Sequence, residues 1–125
     1  MKINCLIVED EQAIRLMLHK FLSKSDLDIN TIFEAKNGKE GIEILTKEKI
    51  DLMFVDIYMP VMDGMEMLEH VRDHPNFKDI PVIVVSVEND EKRIEAIVRQ
   101  GLGFVHKPFT YNVLRQEIKK FGGIL

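Results

Sequence analysis

Residues 54 to 64 read FVDIYMPVMDG, an apolar run that reaches a carboxylate and then enters a loop with proline and glycine. Short, nearly continuous apolar runs are typical of strands that are buried on both faces of a parallel sheet. Asp56 therefore stands at the end of a predicted buried strand, where a charged side chain is costly unless it is compensated. A carboxylate in that place predicts a functional site at the end of the strand.

Five short apolar runs, including the one before Asp56, alternate with five amphipathic stretches. Apolar residues in the first amphipathic stretch recur at the three- and four-residue spacing of a helix. The alternation predicts an α/β fold: a (βα)5 unit with an open, doubly wound, five-stranded parallel sheet covered by helices on both faces. The predicted strands are Ile3 to Val8, Thr31 to Ala35, Leu52 to Val55, Pro81 to Val85 and Leu102 to Val105.

Helix punctuation agrees with this alternation. Side chains that cap helix N-termini precede four of the amphipathic stretches, and a pair of glycines follows the fifth. Asn37-Gly38 and Asp63-Gly64 are predicted to turn into the second and third helices, Asn89 or Asp90 to cap the fourth, Thr110 to cap the fifth, and Gly122-Gly123 to end the last helix.

Composition limits the class of protein. The 125 residues are 46% hydrophobic, which suits one domain spanning residues 1–125. A formal net charge of −4 argues against binding to nucleic acid or to an anionic membrane. Cys5 is the only cysteine and is expected to be buried. With no apolar run of membrane-spanning length and no signal-peptide pattern, we expect a cytoplasmic protein.

The ends of the predicted strands carry polar groups that can act together. Ligands of such sheets bind at the carboxyl ends of the strands. Glu9-Asp10-Glu11 follows the first strand, Asp56 the third, Ser86 the fourth, and His106-Lys107-Pro108 the fifth. Clustered carboxylates repel one another unless a cation joins them, and hard oxygen ligands favour Mg²⁺ over zinc. A carboxylate beside Mg²⁺ and an ammonium group can accept a phosphoryl group, and a hydroxyl can hydrogen-bond its oxygens.

These stretches together resemble the receiver domains of two-component response regulators, a flavodoxin-like class that includes the chemotaxis regulators. The resemblance covers essentially the whole chain and implies the strand order 2-1-3-4-5. The matching stretches are LIVEDE, AKNGKEGIEIL, FVDIYMPVMDG, PVIVVS and GFVHKPFT.

The resemblance implies a metal site around the phosphoacceptor. Asp56 would accept the phosphoryl group, Asp10 and Asp56 would ligate Mg²⁺, and Glu9 would act through a water molecule. The backbone carbonyl of Tyr58 would supply a further ligand. No other cofactor is implied, and the domain would catalyse only its own phosphotransfer and dephosphorylation, so it is not an enzyme in the ordinary sense.

The resemblance also implies a switch and its partners. Ser86 and Lys107 would contact the phosphoryl oxygens, Ser86 and Phe104 would act as the switch pair, and the Lys107-Pro108 bond would be cis. A histidine kinase or a phosphotransfer protein would be the donor. The face formed by the fourth helix, fifth strand and fifth helix would bind a downstream protein target.

Three residues depart from the commonest pattern of this family. Glu9 replaces an Asp in the acidic pair, Phe104 replaces a Tyr, and Val87 replaces a smaller residue beside Ser86. The extra methylene of Glu9 would shift its water-mediated contact with the metal, and Phe104 has no hydroxyl with which to hydrogen-bond the loop after Ser86. Val87 would narrow the access to the phosphoryl group.

Three other interpretations of the chain can be weighed. A phosphatase of the haloacid dehalogenase type needs a second Asp two residues after the nucleophile, where this chain has Tyr58. A flavodoxin that binds flavin needs a phosphate loop, and the acids after the first strand would repel the phosphate. A non-phosphorylated interaction module of the same fold would have no need of the full set of site residues. The sequence leaves open whether the domain is stand-alone or excised from a longer regulator.

Overall fold

The computed structural model describes residues 2 to 122, which form five strands alternating with five helices. The strands lie parallel in the order β2-β1-β3-β4-β5, so both the α/β class and the strand order predicted from the sequence are confirmed. The elements are β1 (Ile3–Val8), α1 (Gln12–Lys24), β2 (Ile29–Ala35), α2 (Gly38–Lys47), β3 (Leu52–Val55), α3 (Gly64–Asp73), β4 (Val82–Ser86), α4 (Glu91–Arg99), β5 (Gly103–His106) and α5 (Tyr111–Lys119).

Three strands differ from the predicted bounds. β2 begins earlier, at Ile29, because Ile29 pairs with Ile3 of β1. β4 and β5 each lie one residue further along the chain than predicted, because Ser86 pairs with His106 at the end of the ladder. Ser86 is therefore held in the sheet itself rather than in the loop that follows it.

The helix caps follow the prediction closely. Asn37, Asp63 and Thr110 accept backbone N–H groups at the starts of α2, α3 and α5. Of the two candidates before α4, Asp90 is the cap, since its carboxylate accepts the Lys92 N–H group. The last helix ends before the predicted glycine pair, of which Gly123 lies outside the described residues.

Two apolar layers cover the faces of the sheet. Leu6 and Val8 of β1 face one layer, while Cys5 and Ile7 face the other, as the two-residue period of a strand requires. The Cys5 thiol is fully buried, and burial raises its pKa to about 12. Because both faces of β1 and β3 are buried, the free space for chemistry lies at the strand ends.

The loop after β3 turns back tightly against the strand. The Gly64 N–H group donates to the Ile57 carbonyl at 2.9 Å. A Cβ atom on Gly64 would lie 2.1 Å from the Asp56 carbonyl oxygen, so only glycine fits there. This close approach fixes the backbone of Asp56 against the start of α3.

Val61 in the same loop has a φ of 67°, in the left-handed region that β-branched residues avoid. Its side chain is 77% exposed and therefore contributes little packing. We expect Val61→Asn to stabilise the protein by about 1 kcal/mol, because asparagine tolerates this conformation. Urea unfolding measures the change, with the exposed Val87→Asn as a control that should show no gain. If Val61→Asn were no more stable than the wild type, the inference that the backbone at Val61 is strained would be wrong.

Candidate functional site

The site side chains predicted from the sequence meet at the carboxyl edge of the sheet. Glu9 follows β1, Asp56 follows β3, Ser86 ends β4, and Lys107 follows β5. Backbone hydrogen bonds align the ends of neighbouring strands: the Asp56 N–H group donates to the Val8 carbonyl at 3.0 Å, and the Lys107 N–H group donates to the Ser86 carbonyl at 2.9 Å. All four side chains are buried, which is unusual for the three that are charged and marks the group as a cluster.

Lys107 lies between the two buried acids. Its Nζ atom is 2.5 Å from Glu9 Oε1 and 3.5 Å from Asp56 Oδ2. Apart from that ion pair, Glu9 Oε1 is a buried oxygen with no hydrogen bond among the described residues. One ammonium group thus faces two carboxylates, which leaves the cluster short of positive charge.

The pKa values of both buried carboxyl groups, Glu9 and Asp56, are raised, as expected where negative charge exceeds positive charge. Burial raises the pKa of Glu9 to about 7, against the opposing effect of Lys107, and the charge of Asp56 raises it further. Burial also raises the pKa of Asp56. Burial alone would lower the pKa of Lys107, but its contacts with Glu9 and Asp56 outweigh burial and raise it. Both carboxyl groups therefore favour a further cation nearby.

A third carboxylate completes a possible metal centre. Asp10 is exposed at the mouth of the site, and one ligand atom each of Glu9, Asp10 and Asp56 lies within 4.8 Å of the others. Three carboxylates that meet at one edge of the sheet, two of them buried, fit a hard divalent cation such as Mg²⁺. The carbonyl of Tyr58, which belongs to the turn after Asp56, remains a predicted ligand.

The two switch residues predicted from the sequence lie on neighbouring strands. Ser86 is fully buried, and its Oγ atom accepts the Glu88 N–H group at 3.2 Å. Phe104 of β5 is partly buried beside a cavity of about 260 Å³, whose lining also includes Val98 of α4 and Phe121.

Two arginines belong to the site that the sequence analysis did not identify. Arg15 of α1 is almost buried, and its guanidinium group donates to the Glu9 carbonyl at 2.8 Å and to Glu34 at 3.0 Å. Arg93 of α4 contacts Glu88, which lies two residues after Ser86. Neither has a sequence pattern of its own, although each lies in the first turns of a helix that follows a site strand.

The peptide bond between Lys107 and Pro108, just after β5, is cis, as the resemblance to receiver domains implied.

Within residues 2 to 122, no helix is both long enough and apolar enough to cross a membrane.

The five-stranded parallel sheet in the order β2-β1-β3-β4-β5, with helices on both faces, defines the flavodoxin-like class of α/β domains. A family model described as the response regulator receiver domain matches residues 5–119. The chain therefore belongs to the response regulator receiver domain family, and it is a receiver domain of two-component signalling.

Individual relatives agree with the family. A probable chemotaxis protein CheY from Rhizobium etli is 33% identical over 125 residues, covering 99% of this chain and 95% of that protein. The structure of the chemotaxis protein CheY4 from Vibrio cholerae has a TM-score of 0.80 and 26% identity, with complete coverage of both chains. The receiver domain of a signal transduction histidine kinase from Syntrophus aciditrophicus has a TM-score of 0.80 and 28% identity, covering 94% of this chain and 88% of that one.

Proposed function

We propose that residues 1–125 form a single receiver domain that accepts a phosphoryl group on Asp56. The observation that carries the proposal is the position of Asp56, buried 3.5 Å from the Lys107 ammonium group and beside Glu9 and Asp10. The donor is a phosphohistidine of a histidine kinase or phosphotransfer protein in the cytoplasm. The haloacid dehalogenase alternative is not favoured, since the family match is to receiver domains and residue 58 is tyrosine.

In the proposed reaction, an Asp56 carboxylate oxygen attacks the phosphorus atom of the donor. The bond from phosphorus to the donor imidazole nitrogen breaks, and its electron pair stays on the imidazole. Lys107 lies where it can neutralise the transferring oxygens, and Ser86 offers a hydroxyl to one of them. Mg²⁺ held by Glu9, Asp10, Asp56 and the Tyr58 carbonyl would supply further charge neutralisation at the same oxygens.

The experiment that tests this function is incubation of the protein with acetyl phosphate, followed by intact-mass spectrometry. We expect the mass of one phosphoryl group to appear with magnesium chloride and to be absent with EDTA, because the acidic cluster needs the added positive charge. Peptide mapping should place the group on Asp56. Equal labelling with EDTA, or labelling at another residue, would overturn the proposal.

Magnesium is expected to stabilise the folded domain. It relieves repulsion among the acids and binds only where they are assembled, so a concentration one hundred times Kd adds about 2.7 kcal/mol. Asp10→Asn should raise the melting temperature without metal and remove the response to magnesium chloride. Asp79→Asn, an exposed change at the other edge of the sheet, should leave both unchanged. A wild-type melting curve indifferent to millimolar magnesium would contradict the site.

We further propose that phosphorylation changes the face formed by α4, β5 and α5, which binds the downstream protein. In the described state the Glu88 N–H group holds the Ser86 hydroxyl, and the Phe104 ring has an adjacent cavity. A phosphoryl group would draw the Ser86 hydroxyl away and favour a second position of Phe104. The size of the shift is set by the difference in interaction free energy between the two states.

The switch is tested with Ser86→Ala. We expect this variant to keep beryllofluoride binding at Asp56 but to lose most of the amide shift changes between residues 89 and 109, because the hydroxyl that transmits the change is gone. The measurement is an amide correlation spectrum before and after addition of beryllofluoride. Shift changes as large in Ser86→Ala as in the wild type would remove Ser86 from the switch.

A further inference from the structure

Arg15 of α1 contacts both ends of the acidic loop, residues 9 to 11, which carries two of the predicted metal ligands. Its Nη1 atom donates to the Glu9 carbonyl at 2.8 Å, in a buried hydrogen bond. Its backbone N–H group donates to the Glu11 carbonyl at 3.1 Å, in the turn that begins the helix. One residue therefore holds the backbone of the acidic loop at its first and last positions.

Further hydrogen bonds restrain Glu9 within the acidic loop. Its N–H group donates to the Ala35 carbonyl of β2 at 2.9 Å, and its Oε2 atom accepts the Glu11 N–H group at 3.2 Å. Asp10 is exposed, so packing does not fix its side chain. The directions of both carboxylates therefore depend on the backbone of the acidic loop, to which the Arg15 guanidinium group is bound through the Glu9 carbonyl.

Glu34 of β2 holds Arg15 in this position. Its Oε1 atom accepts a hydrogen bond from Arg15 Nε at 3.0 Å, so the planar guanidinium group donates to two acceptors through different nitrogen atoms. Glu34 is in register with Ile7 of β1, which belongs to the same apolar layer as Leu18 of α1. The Arg15 side chain is only 10% exposed. Strand β2 therefore fixes the arginine that binds the acidic loop.

We propose that Arg15, itself fixed by Glu34, is a positioning residue for the divalent cation: it binds the Glu9 carbonyl and so sets the directions in which Glu9 and Asp10 present their carboxylates. This inference rests on the metal site of the proposed function and adds a determinant of its affinity. Groups that support metal ligands without contacting the metal affect affinity strongly, because ligands that must be ordered on binding bind more weakly.

The charge of Arg15 and its hydrogen bond to Glu9 act on metal affinity with opposite signs. A guanidinium group near the site repels a cation, so removal of the charge alone would tighten the binding of Mg²⁺. Loss of the hydrogen bond to the Glu9 carbonyl frees the acidic loop to take other conformations, which weakens binding. The sign of the change in Kd therefore distinguishes a positioning residue from a nearby charge.

The experiment is a titration with magnesium chloride, followed by amide correlation spectra of the wild type and of Arg15→Met. Kd is taken from the amide shifts of residues 9 to 11 and 56 to 58. We expect Arg15→Met to raise Kd about tenfold, the lower end of the loss found when a support of a metal ligand is removed. Thermal unfolding in EDTA checks that the variant is folded.

Two substitutions at Glu34 separate its hydrogen bond from its charge. Glu34→Ala and Glu34→Gln remove the same charge, but only glutamine keeps an oxygen that can accept from Arg15 Nε. We expect Kd to be higher by about twofold or more in Glu34→Ala than in Glu34→Gln, a part of the loss in Arg15→Met. The Glu34 side chain is 42% exposed, so both variants should fold, and they decide the matter if Arg15→Met does not.

Arg115→Met is the matched control for the charge. Arg115 of α5 forms an ion pair with Asp26 at 3.3 Å, and Asp26 lies between α1 and β2, at the edge of the sheet opposite the site. The substitution removes the same charge as Arg15→Met without touching the acidic loop. Its Kd for magnesium should equal that of the wild type.

Two different failures can be told apart. If the wild type shows no saturable shifts with magnesium chloride, the metal site of the proposed function fails and this inference fails with it. If the wild type binds magnesium but Arg15→Met binds it as tightly or more tightly, only the inference about Arg15 is overturned. Equal Kd values for Glu34→Ala and Glu34→Gln would also overturn it, since Glu34 would then not be what holds Arg15 in place.

Discussion

Asp56→Asn is expected to abolish phosphorylation by acetyl phosphate and by phosphohistidine donors. An amide in place of the carboxylate has no anionic oxygen with which to attack phosphorus, while its shape is nearly unchanged. The variant should also be more stable than the wild type without metal, because burial raises the pKa of Asp56 and charging this carboxyl is unfavourable in the fold. Intact-mass spectrometry measures the first effect, and thermal unfolding in EDTA measures the second.

Asp63→Asn is the matched control for that variant. Asp63 lies in the same loop, but its carboxylate caps α3 by accepting the Glu66 N–H group at 2.9 Å. Asparagine is an equally good cap, so Asp63→Asn should fold and be phosphorylated like the wild type. Phosphoryl transfer that persists in Asp56→Asn, or that is lost in Asp63→Asn, would show that the acceptor has been assigned to the wrong carboxylate.

The charged side chains at the carboxyl edge of the sheet were predictable because each follows a recognisable apolar run. In a parallel sheet such runs end at a common edge, so Glu9, Asp56 and Lys107 had to meet once the alternation of strands and helices was identified. Their roles came from the resemblance to receiver domains, since spacing alone does not distinguish a phosphoacceptor from a structural acid.

The residues that sequence reasoning missed reach the site through side chains rather than through strand ends. Arg15 and Arg93 lie on helices, and only the orientation of each helix decides whether its guanidinium group turns toward the sheet edge. The pattern of apolar residues also did not predict that β4 extends to Ser86 and β5 to His106. They depend on pairing between β4 and β5, which is a contact between distant parts of the chain.

Lys107→Met should cause the largest loss of stability among the site variants, about 3 kcal/mol in EDTA at neutral pH. Lys107 is the cation that faces both Glu9 and Asp56, and its side chain is 9% exposed. Removing one partner of a buried ion pair leaves an uncompensated buried charge, which costs far more than the loss of an exposed pair. Urea unfolding gives the change, and Lys78→Met, at an exposed loop position, serves as the control.

The loss should depend on pH in a direction fixed by Glu9. Because burial raises the pKa of Glu9 from 4.5 in the unfolded chain to about 7, the folded protein binds its proton more tightly. Stability without metal therefore falls as the pH rises through that window. Without the Lys107 ammonium group, the pKa of Glu9 rises further, so Lys107→Met should lose more stability at about pH 8 than at about pH 5.

A second substitution separates the charge of Lys107 from the volume of its side chain. In Lys107→Met/Glu9→Gln one uncompensated carboxylate is replaced by a neutral amide of similar shape, so the double variant should be more stable than Lys107→Met at neutral pH. If the loss came from packing alone, Glu9→Gln would restore nothing. If Lys107→Met and Lys107→Met/Glu9→Gln had equal free energies of unfolding, the buried ion pair would not be the reason that Lys107 stabilises the fold.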